Sequence, residues 1–195
     1  MSKMKYAITG LIGSGKSSVS EYLRSKGYFV FDCDKYNSYL LNEDDRCFEL
    51  IKDSFPSCIK DNKIDRQLLS NIIFNNKQEK EKLENILHPL ILDKMLAYAK
   101  TYNPFFAEVP LLFEVNWDKY FDYSLLVVCD KEISLKRLIK RGVSEKESLR
   151  RLDNQMDVSK KIERSNGIIY NNNDLASLYS QIDRWLIENV GKWFI

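Results

Sequence analysis

A glycine-rich segment near the start of the chain carries the clearest chemical pattern in the sequence. Residues 10–17 read Gly-Leu-Ile-Gly-Ser-Gly-Lys-Ser and fit G-x-x-x-x-G-K-[ST] at every specified position. Such a loop turns backbone N–H groups towards a phosphate, and the helix that follows adds the positive end of its dipole. The sequence therefore predicts a site for a nucleoside triphosphate. Its expected residues are Gly13, Ser14, Gly15, Lys16, Ser17 and Ser18.

Two side chains of this loop have separate expected roles. The Lys16 ammonium neutralises the β- and γ-phosphates, and the Ser17 hydroxyl holds Mg²⁺, the expected cofactor. A further carboxylate, Glu108, follows a later apolar run. It either serves the water shell of the metal or caps its strand.

Asp32 and Asp34 form a second candidate group, directly after the apolar run 28–31. Ligands of open α/β folds bind at the carboxyl ends of the strands. In an extended segment alternate residues face the same side, so both carboxylates are expected to point into the cleft. One would accept a hydroxyl proton and the other would organise Mg²⁺. The alternative is a pair of solvated turn aspartates.

The elements that must position these residues read as an α/β chain. A strand at 5–9, the glycine loop, a helix from Lys16 to about Gly27 and a strand at 28–31 make a βαβ unit, which implies a parallel sheet. Further strands are predicted at 105–109, 125–129 and 167–170. A helix is predicted after Asp65, and two more at 77–87 and 90–102, separated by a break at His88-Pro89. The run 131–164 is predicted to be helical with breaks at Gly142 and Asp157, and a last helix is predicted at 174–190.

Composition excludes several classes of protein. With 30 Lys+Arg against 28 Asp+Glu, the net charge of +2 gives no basis for a nucleic-acid partner. No apolar run approaches the ~20 residues of a membrane span, so we expect a cytoplasmic protein without a membrane partner. The cysteines, Cys33, Cys47, Cys58 and Cys129, form no C-x-x-C pair, and we expect reduced thiols rather than a zinc site.

Residues 62–65, Asn-Lys-Ile-Asp, match the guanine-reading motif N-K-x-D of GTPases. That motif should lie late in the chain at the end of a strand, and no glycine here has an aspartate three residues before it, as the companion D-x-x-G motif requires. We interpret the match as a polar turn with Asp65 capping a helix.

Several other segments together resemble the dephospho-CoA kinase family, and the resemblance covers nearly the whole chain. Its opening is matched by residues 9–17, its D-A-D by Asp32-Cys33-Asp34, its H-P-L-I by residues 88–91 and its V-P-L-L-F-E by residues 109–114. A basic residue opening a helix that ends in I-F is matched by Arg66 and Ile73-Phe74. A lid pattern L-x-R-x-x-x-R is matched by Leu135, Arg137 and Arg141, and R-x-x-x-Q by Arg151 and Gln155.

The resemblance implies an α/β fold of the P-loop NTPase type, with three αβα layers and a five-stranded parallel sheet. It implies one kinase domain over residues 1–195. This comprises a core at 1–35, 103–130 and 156–195, a helical substrate subdomain at 36–102 and a lid at 131–155. The implied reaction transfers the γ-phosphoryl group of ATP to the 3′-hydroxyl of dephospho-CoA and makes coenzyme A. ATP and dephospho-CoA are the implied partners.

Carried over by position, the resemblance implies that Lys16, Asp34 and Arg141 are catalytic. Arg141 would be the lid cation that binds ATP, although a charged run of this kind also forms ordinary solvated faces. The residues implied to bind the acceptor are Asp34, Arg66, His88, Leu112 and Glu114. For the metal it implies Ser17, with Asp32 or Glu108 acting through water.

The chain departs from the family pattern at a few positions. Leu11 replaces a loop glycine, Ser38 replaces an arginine, and Ser165-Asn166 replaces an alanine-aspartate pair. These departures concern substrate contacts. A nucleoside or nucleotide kinase of the same fold, or a GTP-binding switch protein, is the alternative function.

Overall fold

The computed structural model describes residues 3–191, apart from the side chain of Asn75. In chain order its strands are β1 (Lys5–Gly10), β2 (Val30–Asp32), β3 (Ile59–Lys60), β4 (Lys63–Ile64), β5 (Phe105–Glu108), β6 (Tyr123–Val128) and β7 (Gly167–Tyr170). The helices are α1 (Lys16–Ser25), α2 (Cys33–Glu43), α3 (Asp45–Ser54), α4 (Arg66–Asn75), α5 (Lys77–Thr101), α6 (Lys131–Lys140), α7 (Glu145–Asp153), α8 (Val158–Arg164) and α9 (Leu175–Asn189).

Five strands form one sheet in the order β2-β5-β1-β6-β7, and β3 pairs with β4 in a separate hairpin. The pairs β1–β5, β1–β6 and β6–β7 are parallel. Strands β1 and β6 are buried along almost their whole length, as expected for a parallel sheet covered on both faces. The five-stranded α/β fold predicted from the sequence is confirmed.

The main apolar core lies around β1, β6 and the last helix. Tyr6 stacks on Phe106 with ring centroids 5.1 Å apart, and Trp185 of α9 meets Tyr6 edge-on at 5.6 Å. Ile8 and Leu125, on the neighbouring strands, are completely buried in the same cluster. This packing holds the carboxyl ends of β1 and β6 at a common edge of the sheet.

Aspartates begin several of the helices. The side chains of Asp32, Asp44, Asp65 and Asp174 each accept a hydrogen bond from a backbone N–H in the first turn of the helix that follows. Such a cap satisfies one of the N–H groups that a helix end leaves without a partner. The predicted capping role of Asp65 is therefore confirmed, with Leu68 N donating over 3.0 Å.

Two sequence-based expectations about local structure are wrong. His88-Pro89 does not break the chain into two helices, because α5 continues through Pro89. Leu83, Leu87, Ile91 and Met95 are all buried at four-residue spacing. This stripe runs past the proline, and its burial compensates for the one backbone hydrogen bond that Pro89 cannot donate.

The second error concerns the segment Asp32-Cys33-Asp34, which is not extended. Asp32 ends β2, and its carboxylate accepts a hydrogen bond from Lys35 N at 2.9 Å, so helix α2 begins at Cys33. Asp34 lies in the first turn of α2. The argument that alternate residues of a strand share one face therefore does not apply to these two carboxylates.

The part of the chain that the structure describes divides into two compact units, one made of residues 32–98 and one made of the remaining described residues. All four cysteines are free thiols, and three of them are buried. Within residues 3–191, no helix is long and apolar enough to cross a membrane.

Candidate active site

The glycine-rich loop joins β1 to α1 at the carboxyl edge of the sheet. Gly13 and Gly15 have φ values of 78° and 100°, in the left-handed region that residues with a Cβ rarely adopt. A Cβ on Gly15 would collide with the side-chain amide of Asn171, and one on Gly13 would lie 2.9 Å from Ser134 O. The loop therefore needs glycine at both positions for its shape and for the close approach of its neighbours.

Lys16 and Ser17 stand at the start of α1, where the sequence places them. The Lys16 ammonium donates to the carbonyls of Gly10 at 3.1 Å and Leu11 at 3.0 Å, so it lies across the loop. Ser17 Oγ donates to Glu108 Oε1 at 3.1 Å. Glu108 ends the neighbouring strand β5 and is only 6% exposed.

The Ser17 hydroxyl and the Glu108 carboxylate are oxygen ligands that could bind Mg²⁺ beside the loop. Mg²⁺ prefers hard oxygen ligands and is usually bound through one or two carboxylates together with phosphate oxygens and waters. A serine hydroxyl next to a buried carboxylate matches that need. Within residues 3–191, no group of three or more His, Cys, Asp or Glu side chains could hold a metal alone, so any ion here would also need the phosphates or water.

Distant residues hold the loop from behind. Arg137 of α6 donates to the carbonyls of Gly13 and Ser14, both at 3.3 Å, and to the Asn171 carbonyl at 3.0 Å. The Asn171 side-chain amide donates to Ser14 O at 2.8 Å, and Gln155 Oε1 accepts from Ile12 N at 2.7 Å. Residues of other elements therefore fix the loop through two of its carbonyls and through the Ile12 N–H.

The sequence motifs do not predict that Arg137, Asn171 or Gln155 supports the loop. Arg137 and Gln155 belong to the motifs near the lid, and Asn171 belongs to no motif. The available signal for Asn171 was its position, since it follows the last strand at the same edge of the sheet.

Beside the loop lies an open cavity of about 510 Å³. Arg141, the residue directly after α6, lines it together with predicted loop residues. In the part of the chain that the structure describes, the Arg141 guanidinium has no hydrogen bond or ion pair. The full lining is Gly15, Ser18, Arg137, Lys140, Arg141, Asn171, Asn173, Asp174 and Leu175.

The other lid arginines differ from Arg141. Glu147 accepts hydrogen bonds from both Arg150 and Arg151 at 2.8 Å, which lowers the pKa of its carboxyl to about 2. These two guanidinium groups are therefore already neutralised within α7.

The segment 110–118 follows β5 and carries two of the predicted acceptor residues. Its turns are closed by backbone hydrogen bonds from Val115 N to Leu111 O and from Trp117 N to Leu112 O. The Leu112 side chain is completely buried in the core. Glu114 is partly buried, and its Oε1 lies 2.7 Å from the ammonium of Lys161 in α8.

The remaining predicted acceptor residues lie in the unit 32–98. Asp34 is exposed in the first turn of α2, and Arg66 is exposed as the first residue of α4. His88 is partly buried within α5, and that burial lowers the pKa of its imidazole below the ordinary value, although the nearby Glu84 carboxylate raises it.

The segment that matches N-K-x-D has a local role. Asp61 and Asn62 have φ values of 47° and 57° and form the turn of the β3–β4 hairpin. Two left-handed residues are what a two-residue hairpin turn requires. The interpretation as a polar turn followed by a capped helix is confirmed, so this match gives no support to guanine binding.

Comparisons with known proteins agree on one family. The family model described as dephospho-CoA kinase matches residues 4–177. The dephospho-CoA kinase of Fusobacterium nucleatum is 37% identical over 190 residues, covering 95% of this chain and 98% of the relative.

Solved structures extend the comparison. The dephospho-CoA kinase from Campylobacter jejuni is 33% identical, with a TM-score of 0.69 over 96% of this chain and 97% of that one. Shikimate kinase from Acinetobacter baumannii shares the fold, with a TM-score of 0.58 at 12% identity over 100% of this chain and 97% of that one.

Proposed function

The chain belongs to the dephospho-CoA kinase family, and from that premise we propose which of its residues carry the reaction. It is an ATP-dependent kinase that transfers the γ-phosphoryl group to the 3′-hydroxyl of dephospho-CoA, the last step in making coenzyme A. The observation that carries the assignment is the family match across residues 4–177, which includes the phosphate loop.

We propose that loop 10–18 binds the ATP phosphates and that Lys16 stabilises charge on the transferring group. Phosphoryl transfer depends mainly on positioning and electrostatic stabilisation. The support is geometric, since Lys16 lies across the loop while Arg137 and Asn171 hold the loop carbonyls from outside. The cavity lined by Ser18 and Arg141 would take the rest of the nucleotide, with the Arg141 guanidinium on its phosphates.

Ser17 and Glu108 are the proposed Mg²⁺ residues, with Glu108 acting through water. When bound, the ion would offset negative charge on the phosphates. Glu108 is favoured over Asp32 because it contacts Ser17, whereas the Asp32 carboxylate caps α2. Glu108→Gln should raise the Mg²⁺ concentration for half-maximal rate several-fold, and Asp32→Asn should not. The reverse order would assign the metal to Asp32.

For the acceptor, Asp34 is the proposed carboxylate that accepts or orients the 3′-hydroxyl proton. Its exposure leaves it accessible to a substrate, whereas Asp32 is committed to its cap. Arg66, His88, Leu112 and Glu114 are proposed to shape the acceptor site. Because Leu112 is buried, its contribution would be to the packing beneath that site.

The domain roles are also proposals. The helical subdomain 36–102 would hold dephospho-CoA, and residues 131–155 would close as a lid over ATP. We further propose a cytoplasmic location, which four free thiols support because cytoplasmic cysteines stay reduced. Subcellular fractionation would test the location.

An ATP-consumption screen tests the function. Purified protein is supplied with dephospho-CoA, nucleosides and nucleoside monophosphates, and ³¹P NMR locates the new phosphate. Turnover with dephospho-CoA and a new 3′-phosphomonoester are expected. Equal or faster turnover with a nucleoside would indicate a nucleoside kinase of the same fold instead, and preference for GTP without an acceptor would indicate a switch protein.

A further inference from the structure

Lys161 is a lysine with no exposed surface. Its side chain is 0% exposed, its Nζ lies 2.7 Å from Glu114 Oε1, and Glu114 is 22% exposed. The neighbouring Lys160, on the same short helix α8, points to solvent. Removing an ammonium from water is costly unless an opposite charge is close, so this contact accounts for a charged lysine at that position.

Stability alone does not explain the pair. Apolar side chains of similar volume are often as stabilising as a buried ion pair, or more so. The Glu114 carboxylate is also incompletely satisfied: Oε2 is shielded from solvent and, within the described residues, receives no hydrogen bond. A buried acceptor without a protein donor has capacity for a donor from outside the chain.

Arg164, a second cation of α8, binds the backbone and a side chain of the segment 110–118. Arg164 donates to Phe113 O at 3.0 Å and to Asp118 Oδ1 at 2.8 Å, and its guanidinium lies 4.9 Å from the centre of the Phe113 ring. The segment 110–118 therefore stays attached to α8 without Lys161. What Lys161 adds is a fixed position for the Glu114 carboxylate.

We propose that Lys161 is a positioning residue for the phosphoryl acceptor: it holds the Glu114 carboxylate in one orientation, so that the carboxylate accepts a hydrogen bond from dephospho-CoA. This rests on the proposed place of Glu114 at the acceptor site. Lys161 does not touch the substrate, and its effect passes entirely through Glu114.

The test compares Lys161→Met with Lys160→Met, since both remove one ammonium from α8. Lys161→Met should raise KM for dephospho-CoA at least about tenfold, the scale of coupling between contacting charged residues. KM for ATP should stay within about twofold, because the phosphate loop is not touched, and Lys160→Met should leave both constants unchanged. Calorimetry of dephospho-CoA binding gives the same comparison without turnover.

A double-mutant cycle separates positioning from packing and covers the case in which Lys161→Met fails to fold. Glu114→Gln with Lys161→Met leaves no buried charge unpaired. Its KM for dephospho-CoA should equal that of Glu114→Gln alone, because Lys161 acts through that carboxylate. A double variant about tenfold worse than Glu114→Gln would overturn the proposal.

A Lys161→Met variant that melts at a lower temperature but binds dephospho-CoA normally would also overturn the proposal. A Glu114→Gln variant with an unchanged KM for dephospho-CoA would overturn it as well. Failure of the function itself looks different, because wild-type protein would then neither bind nor phosphorylate dephospho-CoA.

Discussion

The phosphate loop and the helical unit 32–98 obtain their structure in opposite ways. The loop's carbonyls and N–H groups are held by Arg137, Gln155 and Asn171, all more than 100 positions away. In the helical unit, helices α2, α3 and α4 each begin at an aspartate that caps its own first turn. A site for a highly charged group needs support from distant residues, whereas local signals are enough to start a helix.

The comparison predicts which single substitutions reduce activity or stability most. Substitutions in the loop, whose shape depends on contacts with distant residues, should be poorly tolerated. Exposed side chains of the helical unit lie on helices that begin at their own caps, so the loss of one such side chain should leave the fold intact.

Lys16→Ala should give the largest effect, a loss of about 10³-fold in kcat with the fold retained. It removes the cation that we propose stabilises charge in the transition state, an effect typically of about 3–4 kcal/mol. Steady-state kinetics at saturating substrates, with a melting curve as control, measure it. Near-normal turnover in a folded variant would remove Lys16 from the reaction.

Asp34→Asn should lower kcat by at least about 10²-fold, the lower end of what a general base contributes. Asp32→Asn is the matched control, because asparagine caps a helix as well as aspartate does and should preserve α2. Nucleotide affinity, measured separately, should be retained in both. If Asp32→Asn were the more damaged enzyme, the roles of the two carboxylates would be exchanged.

Arg141→Ala should slow turnover by about tenfold or more with little change in dephospho-CoA affinity, since Arg141 lines the cavity that we propose takes the nucleotide. Arg150→Ala is the control, because Glu147 already neutralises that arginine. The measurements are kcat, KM for ATP and binding of dephospho-CoA to the ATP-free protein. A tenfold weaker binding of dephospho-CoA in Arg141→Ala would place the residue with the acceptor.

The smallest effect concerns stability and His88, the one histidine of the chain. Burial lowers its pKa in the folded state, so the unfolded chain binds the proton more readily. Folding stability should therefore be fully present above pH ~6.5 and decline as pH falls below it. Melting curves from pH 7.5 to 5.5 should show a steeper decline for wild type than for His88→Gln. Parallel declines would show that His88 is not responsible.

Apolar periodicity and helix-breaking or capping residues were sufficient to predict the elements that depend on neighbouring residues. The strand at 167–170 is confirmed at both ends, and the breaks at Gly142 and Asp157 separate α6, α7 and α8 as predicted. They were insufficient at Pro89 and Asp34. In the first case a buried stripe carries the helix through a residue that locally opposes it, and in the second a capping aspartate starts a helix where an extended segment was expected.

The sequence by itself determined the nucleotide chemistry and the family. The phosphate loop needs particular residue types at consecutive positions, and such a requirement can be recognised directly in the sequence. Only the tertiary structure decided what surrounds those residues: Glu108 against Ser17, Arg137 against the loop carbonyls, and Lys161 buried against Glu114. The reason is physical. Contacts between residues tens of positions apart arise when the sheet aligns its strands and the core packs, and neither event leaves a local pattern in the sequence.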